Sequence, residues 1–306
     1  MPRAGWPVVS WRGSPATRAS SGSTTPSSPA SASRRSSGGP PRCETRPVAL
    51  RSLQKWHGAG NDFLVDVQLY GRPSWWTSQR VRAACARTTG IGADGLIVAS
   101  LGPRVQMTLF NADGSRAEMS GNGARCLAAA VRRAGGAPDE ALEIDTDAGP
   151  RTVTLRMDPD SELTSGYGEV SMGEVSFVPA PEGALGAAFV GNPHVVVADD
   201  PALDDPAREA LATRLAGALG GANVEFVRVE SPERISMRVI ERGVGWTLAC
   251  GTGSCAAAAV ARRAGLVGDV VEVANPGGDL RVTLDGARAT LAGPVRFVAN
   301  VEWLEA

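Results

Sequence analysis

From about position 53 the chain alternates short apolar and polar runs, a pattern typical of half-buried β-strands. Gly, Pro, Asn or Asp bounds each run and marks a turn. Strands are predicted at FLVDVQ (63–68), GLIVAS (95–100), VQMTLF (105–110), ALEIDT (141–146), RTVTLRM (151–157), FVGNPHVVVAD (189–199), NVEFVRV (223–229), ISMRVI (235–240), VVEVA (270–274) and LRVTLDG (280–286). Helical periodicity instead marks 78–87, 123–134, 206–219 and 253–264. The pattern predicts an α+β fold with many strands for each helix.

Two stretches of this pattern repeat each other. Residues 120–135 and 250–265 have equal length, begin with a Gly-x-Gly loop and end in AAAVRRAG and AAAVARRAG. Such self-similarity indicates a duplicated unit, so we expect two similar halves, each with one loop and one helix start. Because the helix interiors are rich in alanine, we expect both helices to be buried centrally with strands packed closely around them.

Ser120 and Cys250 occupy matching positions just before the two loops. A helix start offers free backbone N–H groups and a positive dipole end, so each loop can hold an anion. If the loops face each other, the two side chains flank a bound α-carbon and can move a proton from one face to the other. The alternative for either residue is a helix cap or a small buried filler. For Cys85, Cys126 and Cys255 we expect only buried packing.

Composition narrows the class of protein. Eight of the 31 basic residues but only one of the 32 acidic residues lie in 1–52, which leaves a net charge of −8 for the remainder and argues against nucleic-acid binding. No run reaches the ~18 apolar residues of a membrane span. Five cysteines, an odd number, indicate a reducing, cytoplasmic compartment. With two histidines and no C-x-x-C pair, no metal site is predicted.

Residues 1–52 are rich in Ser, Pro, Gly and Arg and lack hydrophobic periodicity, so we expect a disordered segment. The composition also matches an organelle transit peptide, and a start codon placed too far upstream is an equal alternative. A different motif, GIGADG at 90–95, satisfies the dinucleotide pattern G-x-G-x-x-G. It follows a helix and precedes a strand, the reverse of the order that nucleotide binding requires, so we interpret it as a turn.

Five motifs in order resemble the diaminopimelate epimerase family: KWHGAGNDF, NADGSRAEMSGNGARC, GNPH, ANVEFV and ERGVGWTLACGTG. The resemblance implies two pseudo-symmetric halves, each a curved, mostly antiparallel sheet wrapped around a central helix, with the active site between them. We expect these halves at 53–170 and 171–295, and a final strand at 296–306 that returns to the first half. The resemblance further implies a homodimer that acts on a small-molecule substrate without pyridoxal phosphate or metal.

The resemblance also implies the site. Catalytic roles fall on Cys250, assisted by Glu241, and on position 120, assisted by His194. Substrate-binding positions are Asn61, Asn111, Gly121, Asn122, Asn192, Asn223, Glu241, Arg242, Gly251 and Thr252. Amides and a guanidinium suit a small zwitterion, since arginine can clamp a carboxylate with two hydrogen bonds. For His194 a purely structural hydrogen bond remains open, and His57 receives no catalytic role.

Two positions depart from the family pattern. Ser120 stands where the family has its second catalytic cysteine, and Trp246 stands where it usually has glutamate. A hydroxyl is a far weaker acid than a thiol and needs a neighbouring base. Three functions therefore remain open: epimerisation of LL- to meso-diaminopimelate, racemisation of another amino acid, to which Trp246 would point, and ligand binding with impaired catalysis.

Overall fold

A computed structural model of the chain describes residues 50–70, 75–135 and 141–304. The first half contains β1 (Leu50–Gly58), β2 (Asn61–Leu69), α1 (Ser78–Cys85), β3 (Gly95–Leu101), β4 (Val105–Asn111), β5 (Arg116–Ala117), α2 (Gly121–Arg133), β6 (Leu142–Thr146), β7 (Gly149–Met157) and β8 (Ser165–Glu174). A single 3₁₀ turn, Pro159–Ser161, precedes β8. None of the helices in these described ranges is long and apolar enough to cross a membrane.

The second half repeats this order of elements. It contains β9 (Ser176–Val178), β10 (Gly186–Phe189), β11 (Pro193–Ala198), α3 (Asp205–Ala218), β12 (Asn223–Ser231), β13 (Arg234–Glu241), β14 (Gly245–Thr247), α4 (Gly251–Arg263), β15 (Val270–Asn275), β16 (Gly278–Asp285) and β17 (Arg288–Leu304). The predicted α+β fold of two halves, each wrapped around one helix, is confirmed.

Each central helix is buried on all sides. In α2 every residue from Gly121 to Val131 is buried, and in α4 every residue from Gly251 to Ala261. Strands β1, β2, β7, β8 and β17 pack around α2, while β10, β11, β12, β13 and β16 pack around α4. Alanine permits this close packing because it has a small side chain. The arginines in the last turn of each helix lie at the negative end of the helix dipole, where positive charge is favourable.

Strand pairing shows the duplication directly. In the first half β2 pairs in parallel with β3, with Phe63 opposite Gly95, and β3 pairs antiparallel with β4. In the second half β11 pairs in parallel with β12, with His194 opposite Asn223, and β12 pairs antiparallel with β13. Next, β4 pairs in parallel with β6, as β13 does with β15. Phe63 and His194 are therefore equivalent positions.

All ten predicted strands and all four predicted helices are present, with two differences of detail. The segment 189–199 is not one strand, because a turn through Gly191, at φ +82°, separates β10 from β11. Strand β1 begins at Leu50, before the predicted end of the extension at 52, since Leu50 pairs with Leu304 of β17. Residues 1–49 of that predicted extension lie outside the described residues. GIGADG forms the turn between α1 and β3, as expected.

Candidate active site

The starts of α2 and α4 meet at the centre of the molecule. A Cβ atom added to Gly251 would lie 3.4 Å from the Cα atom of Gly121, so the two first turns are in direct contact. Ser120 caps α2, with its hydroxyl accepting a hydrogen bond of 3.0 Å from the amide of Gly123. Cys250 caps α4 in the same way, its Sγ lying 3.4 Å from the amide of Gly253. Two positive helix ends therefore converge on one point, which favours a bound anion.

A cavity of about 130 Å³ opens at this point. Eleven of the predicted site residues line it: Asn61, Asn111, Ser120, Gly121, Asn192, Asn223, Glu241, Arg242, Cys250, Gly251 and Thr252. Two predicted residues, Asn122 and His194, are fully buried and do not belong to the lining. Four further polar residues, which no sequence motif had marked as site residues, also line the cavity: Asp94, Arg116, Glu118 and Thr247. These four residues lie in short strands and turns that are far apart in the sequence and come together only in the folded chain.

Cys250 lies in a carboxylate-rich environment. Thr247 donates a hydrogen bond of 2.6 Å to Oε1 of Glu241, whose carboxyl interacts with the Cys250 thiol. Burial raises the pKa of Glu241 above its ordinary value. Burial, followed by the charges of Glu241 and Glu225, raises the pKa of Cys250 well above that of a free thiol. Cys250 therefore holds its proton in the ligand-free protein, and Glu241 is the adjacent group able to accept it.

His194 lies behind the cavity wall. Its Nδ1 is 2.7 Å from Oε1 of Glu225, and its Nε2 is 2.7 Å from Oδ1 of Asn192. The side chains of His194 and Glu225 are both 0% exposed. Neither ring nitrogen is hydrogen-bonded to Ser120. Glu225 belongs to the ANVEFV motif, but the sequence gives no sign that this strand glutamate is buried rather than exposed to solvent.

The first half carries neutral residues near Ser120 at positions where the second half carries ionisable residues. By strand register, Phe63 occupies the position equivalent to His194, and Ile97 the position equivalent to Glu225. Likewise Asn111, at the end of β4, is equivalent to Glu241 at the end of β13. The amide of Asn111 donates to the Ser115 hydroxyl at 3.0 Å. Ser120 accordingly has no hydrogen bond to an ionisable side chain among the described residues.

A chain of side-chain hydrogen bonds orients Asn61, which lines the cavity. Arg125, fully buried in α2, donates to Oδ1 of Asn122 at 2.7 Å. Asn122 donates to Oδ1 of Asn61 at 3.3 Å, and Asn61 donates to Oδ2 of Asp94 at 2.9 Å. Asn122 thus contacts the cavity only through Asn61.

Two arginines, Arg116 and Arg242, line the cavity. The backbone amide of Arg242 donates to Oδ1 of Asn223 at 2.9 Å, which fixes the turn that presents the Arg242 side chain. The guanidinium of Arg242 forms no ion pair with any residue in the described ranges, so it is available to a ligand carboxylate. Arg116 forms an ion pair with Asp147 at 2.6 Å. The guanidinium of Arg242 therefore suits the cavity to an anionic group.

Trp246 does not line the cavity. Its Nε1 donates to Oε1 of Glu209 in α3 at 2.8 Å, and its ring packs on Phe226 and beneath the guanidinium of Arg238. The departure from the family pattern at Trp246 therefore lies outside the cavity lining. The indole is instead part of the contact between β14 and α3.

Known proteins resemble this chain in sequence and in fold. The family model described as diaminopimelate epimerase matches residues 53–178 and 186–298. A diaminopimelate epimerase of Methanothrix thermoacetophila is 40% identical over 80% of this chain and 93% of its own length. An O-ureido-serine racemase of Streptomyces lavendulae is 38% identical over 82% of this chain and 95% of its own.

Solved structures agree on the fold. A hydroxyproline epimerase of Agrobacterium vitis superposes with a TM-score of 0.64 at 16% identity, covering 83% of this chain and 92% of its own. A phenazine biosynthesis protein of Bacillus anthracis superposes with a TM-score of 0.62 at 13% identity, covering 84% of this chain and 100% of its own. The fold and the relatives define an isomerase, of the class of racemases and epimerases. Within that class, the chain belongs to the diaminopimelate epimerase family.

Proposed function

We propose that this enzyme converts LL-2,6-diaminopimelate to meso-diaminopimelate by moving the α-proton between Cys250 and Ser120, without an organic cofactor or a metal. The observation that carries the proposal is the pair of capped helix starts that meet at one cavity, with a thiol on one side and a hydroxyl on the other. A substrate carboxylate at the converging amides places its α-carbon between Sγ and Oγ.

Binding of the rest of the substrate follows from the cavity lining. The amides of Asn61, Asn111, Asn192 and Asn223 supply donors and acceptors for ammonium and carboxylate groups. The guanidinium of Arg242 binds the distal carboxylate with two hydrogen bonds, and the carboxylate of Glu241 faces a substrate ammonium. A zwitterion with a charged group at each end fits this arrangement.

The proton steps balance as follows. Glu241 takes the proton of Cys250, and the resulting thiolate breaks the α-C–H bond and becomes a thiol again. The carbanion, stabilised by the helix ends, takes the hydroxyl proton of Ser120 on the opposite face. Glu241 then releases to solvent the proton it took from Cys250, and solvent returns a proton to the serine oxygen. The last exchange is the slow step, because Ser120 has no ionisable hydrogen-bond partner among the described residues.

Racemisation of a different α-amino acid is the second candidate. It is favoured by the 38% identical relative named O-ureido-serine racemase, whose identity to this chain is close to that of the named epimerase. Loss of the second cysteine also fits a changed substrate. A ligand-binding homologue with impaired catalysis is the third candidate.

One experiment separates the candidates. Purified protein is incubated in D₂O with LL-diaminopimelate and, separately, with O-ureido-L-serine, and α-deuterium and stereoisomers are followed by mass spectrometry and chiral chromatography. Deuterated meso product that disappears in Cys250→Ala supports the epimerase. Inversion of O-ureidoserine alone supports the racemase, and binding without exchange of either amino acid supports the impaired homologue.

We also propose a cytoplasmic location and a homodimer. The four cysteines of the described residues are free and buried, which fits a reducing compartment. The homodimer rests on the family resemblance, and sedimentation of the purified protein tests it.

A further inference from the structure

The buried pair of His194 and Glu225 has no role in the proton steps described above, although Glu225 lies against the first turn of the helix that Cys250 caps. Both side chains are fully enclosed, and their contact of 2.7 Å joins Nδ1 to Oε1. The other carboxylate oxygen, Oε2, is buried without a hydrogen bond within the described residues. Burial of a carboxylate costs free energy unless the group is paired, so we expect Glu225 to make a specific contact at this position.

The fold makes room for this carboxylate at the start of α4. A Cβ atom on Gly253 would lie only 2.6 Å from Oε1 of Glu225, so any larger residue there would displace this carboxylate. The carboxylate consequently lies against the first turn of the helix capped by Cys250, where the helix dipole favours negative charge. At the equivalent place in α2, a Cβ atom on Gly123 would meet Cδ1 of Ile97 at 3.1 Å. The pair of His194 and Glu225 therefore belongs to the cysteine side alone.

The hydrogen bonds of His194 determine which end of the Asn192 amide faces the cavity. Nδ1 meets a carboxylate oxygen and Nε2 meets the amide oxygen of Asn192, and both of these atoms are acceptors. Both contacts are hydrogen bonds only if each ring nitrogen carries a proton. Asn192 lines the cavity, and since its oxygen is bound to His194, its NH₂ group is the end left for a ligand.

We propose that Glu225 is a positioning residue, which through the protonated ring of His194 holds the Asn192 amide with its NH₂ group toward a substrate carboxylate. With a neutral partner in place of Glu225, the ring needs only one proton, on Nδ1. Nε2 then accepts a hydrogen bond, the Asn192 amide turns over, and its oxygen faces the carboxylate and repels it. This inference rests on the proposed function for the identity of the ligand group.

The test uses Glu225→Gln, with Glu230→Gln as the matched control on the exposed end of the same strand. Because the chain has only two histidines, ¹⁵N-histidine labelling gives a simple spectrum, and His57→Gln assigns His194. In the ligand-free protein we expect both His194 nitrogens to be protonated, and Nε2 to lose its proton in Glu225→Gln only. A His194 ring that is neutral in the native chain, or unchanged in Glu225→Gln, overturns the proposal.

Kinetics test the effect on the substrate. Glu225→Gln is expected to raise KM by about 10- to 100-fold, the range for a lost hydrogen bond to a charged group, while kcat changes by less than about threefold. In an Asn192→Ala background the same substitution should no longer change KM, because the intermediate residue is absent. A fall in kcat at constant KM, or an undiminished effect in that background, would contradict positioning through Asn192.

Two further measurements keep the test decisive. If Glu225→Gln does not fold, Asn192→Asp leaves the buried pair intact but places a carboxylate oxygen in the cavity, and an unchanged KM in that variant rejects the proposal. If the native chain turns over no diaminopimelate, the proposed function fails, whereas the histidine spectra and the side-chain amide signals of Asn192 still decide whether Glu225 sets the hydrogen bonds of this chain.

Discussion

Replacement of Ser120 by cysteine is expected to accelerate inversion of the substrate. Cys250 shows that a thiol fits this type of site, because the two caps have similar backbone angles, φ −141° and ψ 123° at Ser120 against φ −124° and ψ 116° at Cys250. The new sulfur can accept the amide of Gly123 as Cys250 accepts that of Gly253. The change therefore alters acidity while the helix cap is retained.

The size of the gain follows from what surrounds position 120. A well-matched general acid or base contributes about 10²- to 10⁴-fold to a rate. Cys250 has Glu241 beside it, whereas the equivalent residue on the serine side is the neutral Asn111. Since the new thiol lacks a partner base, we expect the low end of this range, about 10²-fold or about 2.7 kcal/mol in the activation free energy.

The assay compares inversion with exchange. LL-diaminopimelate in D₂O is followed for meso product and for deuterium at the α-carbon in the native chain, Ser120→Cys and Ser120→Ala. Ser120→Ala should abolish inversion, retain exchange on the face of Cys250 and lower the free energy of unfolding by about 1 kcal/mol through loss of the cap. Inversion that is no faster in Ser120→Cys, or that survives in Ser120→Ala, would refute a limiting role for the serine.

Three other substitutions test the remaining geometry. Glu241→Gln should slow α-proton exchange about 10²-fold. Because burial raises the pKa of Glu241, ionisation of this group destabilises the native chain as pH rises above the ordinary glutamate value of 4.5. Denaturant unfolding should therefore show a larger free energy of unfolding for the variant than for the native chain at pH 7, and a smaller difference at about pH 4. Equal differences at both pH values would contradict this. Arg242→Lys should raise KM about tenfold with little change in kcat, through loss of a two-bond clamp, as initial rates will show. Trp246→Phe should lower the free energy of unfolding by about 1 kcal/mol by removing the bond to Glu209, and a changed substrate preference would contradict its place outside the cavity.

The sequence was informative where local pattern and duplication carry the information. Period-2 and period-3.6 patterns located the strands and helices, and the repeat of 120–135 at 250–265 predicted two similar halves, each with one loop and one helix start. It was less informative where contacts join distant segments. Arg116 and Thr247 line the cavity because β5 and β14 run to its rim, and neither short strand has a periodic pattern of its own.

Burial of charge was also beyond the sequence pattern. Glu225 alternates with valine and phenylalanine in a strand, as a solvent-exposed glutamate often does, yet it is fully buried because β12 passes beneath the start of α4. Trp246 shows the reverse case. It stands only four residues before Cys250, but β14 directs its ring to α3. Separation along the chain is therefore a poor guide to distance from the site.

The two halves have the same backbone plan but carry ionisable residues at equivalent positions only on the cysteine side, and this difference limits how the enzyme can work. Glu241 and Glu225 lie near Cys250 and His194 is paired with Glu225, whereas the equivalent residues of the first half, Asn111, Ile97 and Phe63, are neutral. Inversion in either direction passes through the same transition state, so a weak acid on one face slows both directions equally. Exchange on the face of Cys250 needs no proton from Ser120 and escapes that limit. The asymmetry of the halves thus predicts α-proton exchange that runs ahead of inversion.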